Sequence, residues 1–120
     1  MKLKVLFTVF FVFLFVATGS RAAEWYEGGT LHTVTVAQWN KGSSHDKIAT
    51  AGDWVAYHTA PEKLRSVDAD LLREAATAVA ICVDKSTDGI ESVQNQQVTQ
   101  FALLCMTMMQ KSYPFFLTKQ

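Results

Sequence analysis

The sequence predicts an all-α fold, a small bundle of about four helices behind an N-terminal signal peptide. Three observations carry that expectation. Residues 1–22 have the order of an export leader. The rest of the chain is rich in alanine and has a single proline, Pro61, ahead of Pro114. Between residues 92 and 110, apolar side chains recur at helical spacing with glutamines between them.

The leader comes first. Lys2 and Lys4 precede an apolar run from Val5 to Ala17 that only Thr8 interrupts, and residues 18–23 are small apart from Arg21. Cleavage after Ala22 places Ser20 and Ala22 at the two positions that must be small. The apolar run is shorter than the ~20 residues a membrane-spanning helix needs, and no cysteine near the cleavage site offers a lipid anchor. A single domain is then expected over residues 23–120, enough chain for one core. Loss of Lys2, Lys4 and Arg21 reduces the 11 basic residues to 8 against 11 acidic ones, a formal charge of −3. No basic run survives, which argues against nucleic acid and anionic membranes as partners. Of the phenylalanines only Phe101, Phe115 and Phe116 remain, so the core rests on Trp25, Trp39, Trp54 and aliphatic side chains.

Glu24 to Thr30 reads as a loop containing Gly28-Gly29. Residues 31–36 alternate apolar and polar as a strand would, but no second strand is in view to pair with them. A short helix from about Thr33 to Asn40 is expected instead, capped by Thr30 or Thr33, with Val36 and Trp39 facing inward. A turn at 41–44 leads into Ser43-Ser44-His45-Asp46, which resembles a capping box and opens a helix over about 44–59. Ile48, Ala51, Gly52 and Val55 share one stripe of it, with Trp54 and His58 beside them. Pro61 closes this helix.

Ser66 is the expected cap of the next helix, with Asp68 and Asp70 in the first turn where the helix dipole favours anions. Leu71, Ala75, Ala78 and Cys82 form its stripe, flanked by Leu72 and Val79. Asp84 to Ile90 is expected to be loop. The last helix, about 92–110, places Val98, Phe101, Ala102, Cys105, Met108 and Met109 on one face. The apolar tail Tyr113–Leu117 docks back on the bundle.

Cys82 and Cys105 are the strongest chemical feature. An exported chain with these two cysteines alone favours a disulfide, worth about 3 kcal/mol in the chain-entropy model. A tight hairpin at Gly89 would set Cys82 opposite residue 95, about 15 Å from Cys105 along the helix. The bond therefore requires a steep crossing or a longer loop, and two buried thiols are the alternative.

His32, His45 and His58 recur every 13 residues, which does not return to one helical face. The His-x-x-x-His pairing of a metal site is missing. No Gly-x-Ser-x-Gly elbow supports a triad built from Ser43 or Ser44, His58 and Asp53. No cofactor is expected. Met106, Met109, Phe115 and Phe116 could form a soft apolar surface for a partner.

At "GGTLH", residues 28–32, then Trp39 and "IATAGDW", residues 48–54, the chain resembles a group of small exported bacterial proteins of unassigned activity. The likeness covers residues 24–58 and implies a periplasmic helical domain without lending a catalytic residue. Within it, Ala49, Ala51 and Gly52 fit the close approach of a neighbour, with Trp39 and Trp54 filling the gap. Thr50 and Asp53 fit a role in tying the preceding loop. Small periplasmic immunity proteins offer a weaker, fold-level similarity. The expectation is a non-catalytic, periplasmic or secreted protein that binds another envelope or secreted protein. The alternative is a metal- or small-ligand-binding protein or enzyme using His32, His45, His58 and Asp53.

Overall fold

Hydroxyl side chains set where the first helices begin. In the computed structural model, which describes residues 24–120, helix α1 (Val36–Asn40) starts from Thr35, whose side chain accepts a hydrogen bond from the Gln38 amide. Gln38 returns the contact to the Thr35 amide, completing a capping box. Neither Thr30 nor Thr33 is the cap: both lie upstream, Thr30 in the loop and Thr33 in the turn that follows it. Ser43 caps helix α2 (Ser44–His58) by accepting from the Asp46 amide. The reciprocal half of the expected box is missing, because the Asp46 carboxylate is engaged elsewhere.

Pro61 opens a helix as well as following one. It occupies the first turn of a short helix, α3 (Pro61–Ser66), where its missing N–H costs nothing. Ser66 bonds back to the Lys63 carbonyl, so the next helix, α4 (Ala69–Thr87), begins from Asp68 without a side-chain cap. Helix α4 is followed by a 3₁₀ turn (Glu91–Val93) and by α5 (Val98–Met108). The described residues contain no strand. The signal peptide expected at 1–22 lies outside them. Among the described residues no helix is long and apolar enough to cross a membrane.

Helix α4 is central, packing chiefly against α2 and next against α5. Small residues make the first contact close. Ala49, Ala51 and Gly52 of α2 and Ala75, Ala76 and Ala80 of α4 are all buried. A Cβ added at Gly52 would lie 3.8 Å from that of Ala76 and only 2.9 Å from the Trp25 ring. The buried stripe of α4 runs Ala75, Ala76, Val79, Ala80, Val83 and Thr87. Leu71 faces outward, so the stripe lies one position round from the expected one.

The segment between α4 and α5 is longer than the sequence implies, and this decides the cysteine register. Because α5 starts at Val98 and not near 92, the hairpin is centred beyond Gly89. Cys82 and Cys105 come opposite each other with Cα atoms 6.0 Å apart, at disulfide distance. The connection is held by side chains: Gln94 donates to the carbonyls of Thr87 and Ile90, both at 2.9 Å, and accepts from Asn40. It also supplies the partner that the alternating segment 31–36 lacked. Thr35 and Gln97 form an isolated antiparallel bridge, with Val36 N–H donating to Gln96 O and Val98 N–H to Val34 O.

The inward face of α5 is Val98, Ala102, Cys105 and Met106. The expected partner surface is therefore largely interior. Met106 and Phe116 are completely buried, Phe115 nearly so, and Met109 is half-buried at the helix end. Met108, assigned inward from the sequence, is exposed. The tail folds back as expected, stacking Tyr113 on Phe116 at 5.1 Å, donating from Lys119 N–H to His58 O, and accepting at Thr118 Oγ1 from the Ala60 amide.

Candidate functional site

The residues of the N-terminal signature come together along one face of α2. Gly28 adopts a positive φ of +83° and turns the chain. Gly29 then lies so close to α2 that a Cβ would meet Thr50 N at 2.8 Å and the Ala49 carbonyl carbon at 3.0 Å. From there the loop runs along the helix, and three consecutive residues are fastened to three successive turns. Thr30 donates from its amide (2.7 Å) and its hydroxyl to the Asp46 carboxylate. The Leu31 amide donates to Thr50 Oγ1 (3.2 Å), whose hydroxyl in turn donates to Asp46. His32 Nε2 lies 2.7 Å from Asp53 Oδ2. Positions 46, 50 and 53 share a helical face, so an extended strand of chain can address all three.

Partial burial works against ionisation of Asp46. Hydrogen bonds from the Thr30 hydroxyl and amide and from Thr50, with His32 nearby, outweigh it and hold the carboxyl below its ordinary value of 3.8. Sequence reasoning placed Asp46 in a capping box. Its acceptor role toward Thr30 was signalled only by the same i, i+4, i+7 spacing with Thr50 and Asp53.

Beneath the loop, Trp39 and Trp54 stack at 5.3 Å. Trp39 is fully buried, and its Nε1–H donates to Asp84 Oδ1 at 2.9 Å. Asp84 also pairs with Lys47 at 2.9 Å. Asp84, expected in a loop, belongs to the last turns of α4, one helical turn before Asp88, which caps the helix. Leu31 and Ala49 are buried in this region as well.

The three histidines take separate roles. His45 Nε2 is 3.0 Å from the Glu27 carbonyl, at the start of the loop. His32 pairs with Asp53. His58 meets Tyr57 edge to face at 5.0 Å, and burial, with the Lys119 charge beside it, lowers its pKa below 6.5. Among the described residues no three His, Cys, Asp or Glu side chains converge closely enough to hold a metal. His32, Asp53 and His58 do line one cavity of about 420 Å³ together with Trp54, Tyr57 and Thr99; His45 does not. The Ser43 and Ser44 hydroxyls stand at the opposite end of α2 from His58, so the triad considered from sequence is not assembled.

No protein family, curated protein or solved structure matches the chain.

Proposed function

We propose that this chain is an exported, non-catalytic binding protein that engages another envelope or secreted protein through the outer face of α5. Export is supported by the leader-like order of residues 1–22 and by a cysteine pair at disulfide distance, which an oxidising compartment maintains. The observation that carries the binding role is the surface of α5. Leu103, Leu104 and Met108 are 40 %, 59 % and 67 % exposed, although their helix has already committed its other face to the core.

From Ser92 to Gln110 the chain carries no charged residue. Charges are depleted and methionine enriched at the centre of protein interfaces, and flexible methionine accommodates different apolar shapes. The partner that fits this face is a protein presenting an uncharged apolar patch.

The test uses the full-length protein expressed with its own leader. By intact-mass analysis the exported product is expected to begin at Ala23 and to be two hydrogen atoms lighter than the reduced chain. A pull-down compares wild type with Leu104→Glu/Met108→Glu. Both positions are exposed, so the circular dichroism spectrum is expected to stay unchanged. A protein captured by wild type and lost by the variant supports the reading; equal capture by both overturns it.

A further inference from the structure

Two threonine hydroxyls that make no hydrogen bond among the described residues lie at one place in the molecule. Thr30, Thr35, Thr50, Thr59, Thr77, Thr87, Thr107 and Thr118 each use their hydroxyl in a hydrogen bond within the chain. Among the described residues the hydroxyls of Thr33 and Thr99 form no such bond, and both line the cavity beside His58. Neither the Tyr57 hydroxyl nor the His58 imidazole has a side-chain hydrogen bond among the described residues. Four groups able to donate and accept therefore converge on one cleft, contributed by the loop after His32, by α2 and by the first turn of α5.

The walls of that cleft are otherwise apolar and aromatic. Trp54, Tyr57 and His58 lie on adjoining turns of α2. Tyr57 is 67 % exposed, a large ring left in solvent at the cavity edge. It is held there on two sides, by the perpendicular His58 ring and by the Lys119 ammonium 4.7 Å from its centroid. A fixed ring is a preorganised wall, which reduces the ordering cost of binding.

Charge narrows the ligand class. Among the described residues no lysine or arginine lines the cavity, and the one carboxylate there, Asp53, is already paired with His32. An anion would face Asp53 and find its one nearby cation, Lys119, already seated on the Tyr57 ring at the cavity edge, while a cation would have to displace His32. We propose that this cavity, distinct from the α5 face, is a binding site for a neutral one- or two-ring aromatic molecule carrying a hydroxyl or ring N–H. The ring lies against Tyr57 and the edge of Trp54, and its polar group reaches the Thr33, Thr99 and His58 cluster. The volume of about 420 Å³ lies in the range of small-molecule sites.

The experiment is an amide and indole N–H chemical-shift titration of the exported, oxidised protein with indole, with benzoate as the anionic counterpart. Indole is expected to give saturable shifts at Trp54, Tyr57, His58 and Thr99 with a Kd of about 1 mM or tighter. Benzoate is expected to bind at least about tenfold more weakly. Tyr57→Ala, at an exposed position, is expected to weaken indole about fivefold or more, and Tyr57→Phe to retain most of it. Absence of saturation up to about 10 mM indole overturns the site. So do shifts centred elsewhere, or equal binding by Tyr57→Ala. Tighter binding of benzoate than of indole overturns the ligand class.

Discussion

Residues 28–32 and helix α5 both depend on a neighbour for their place in the fold, and they are fastened by opposite means. Helix α5 buries Val98, Ala102 and Met106 and stands at disulfide distance from α4 through Cys105. The N-terminal loop buries one large side chain, Leu31, and is otherwise held by the Thr30–Asp46, Leu31–Thr50 and His32–Asp53 contacts. The first attachment is apolar and covalent, hence sensitive to reductant and indifferent to pH. The second is polar and charge-assisted, hence local, reversible and sensitive to acid. Such a loop can detach while the α2–α4–α5 core persists, because a contact's stability is set by what it buries.

The largest expected effect breaks the covalent side. Cys82→Ala/Cys105→Ala should lower stability by about 3 kcal/mol, a fall in Tm of roughly 10–20 °C for a domain of this size. Thermal unfolding with and without reductant measures it, and wild type with reductant should approach the variant. Next is Gly29→Ala. Its methyl would enter the backbone of α2 at Ala49–Thr50, so the loop must lift at a cost of about 1–3 kcal/mol. Hydrogen exchange should then show lost protection at Leu31 with α4 and α5 amides unchanged. If α4 and α5 lose protection equally, the two attachments are one cooperative unit.

Asp46→Asn keeps the shape but removes the charge, and should cost about 1–2 kcal/mol. It also sharpens the pH contrast. The Asp46 pKa is lowered in the folded state, so its contribution is present above 3.8 and is lost as pH falls through the lower, folded value. His58 is also lowered, from 6.5, so the folded state resists its protonation and stability begins to fall once pH drops below 6.5. Tyr113, partly buried and near Glu74, is raised above 10.0, so stability falls again at alkaline pH as the unfolded chain ionises first. Urea midpoints across pH should show all three arms, and Asp46→Asn should remove the most acidic one. The smallest effect is expected for His32→Ala, under about 1 kcal/mol, because the His32–Asp53 pair is largely exposed, 38 % and 49 %.

How far these features were legible in the chain varies with the range of the interaction. Ser43 as a cap, the span of α2 and the inward placement of Val36 and Trp39 follow from contacts within a few residues, so local pattern finds them. The start of α5 was misplaced because glutamines at 94, 96 and 97 suit a wet helical face. In the structure Gln94 instead clamps the carbonyls of Thr87 and Ile90. Met106 and Met108 exchanged roles because helical spacing alone permits either face to turn inward, and the cysteine register chose one. The loop ladder was glimpsed in Thr50 and Asp53, whereas Asp46 was hidden by an equally good local explanation.

By itself the sequence determined that the domain is helical, where its second helix begins and ends, and which two cysteines are available to each other. Each of these rests on backbone capping, periodicity or composition, all encoded within a few residues. Only the tertiary structure decided that Cys82 faces Cys105, that Thr30, Leu31 and His32 climb three turns of α2, and that Thr33, Tyr57, His58 and Thr99 share a cleft. Those outcomes depend on the length of one irregular connection and on how closely small residues let α2 and α4 approach. They are properties of packing between distant segments, which no local pattern records.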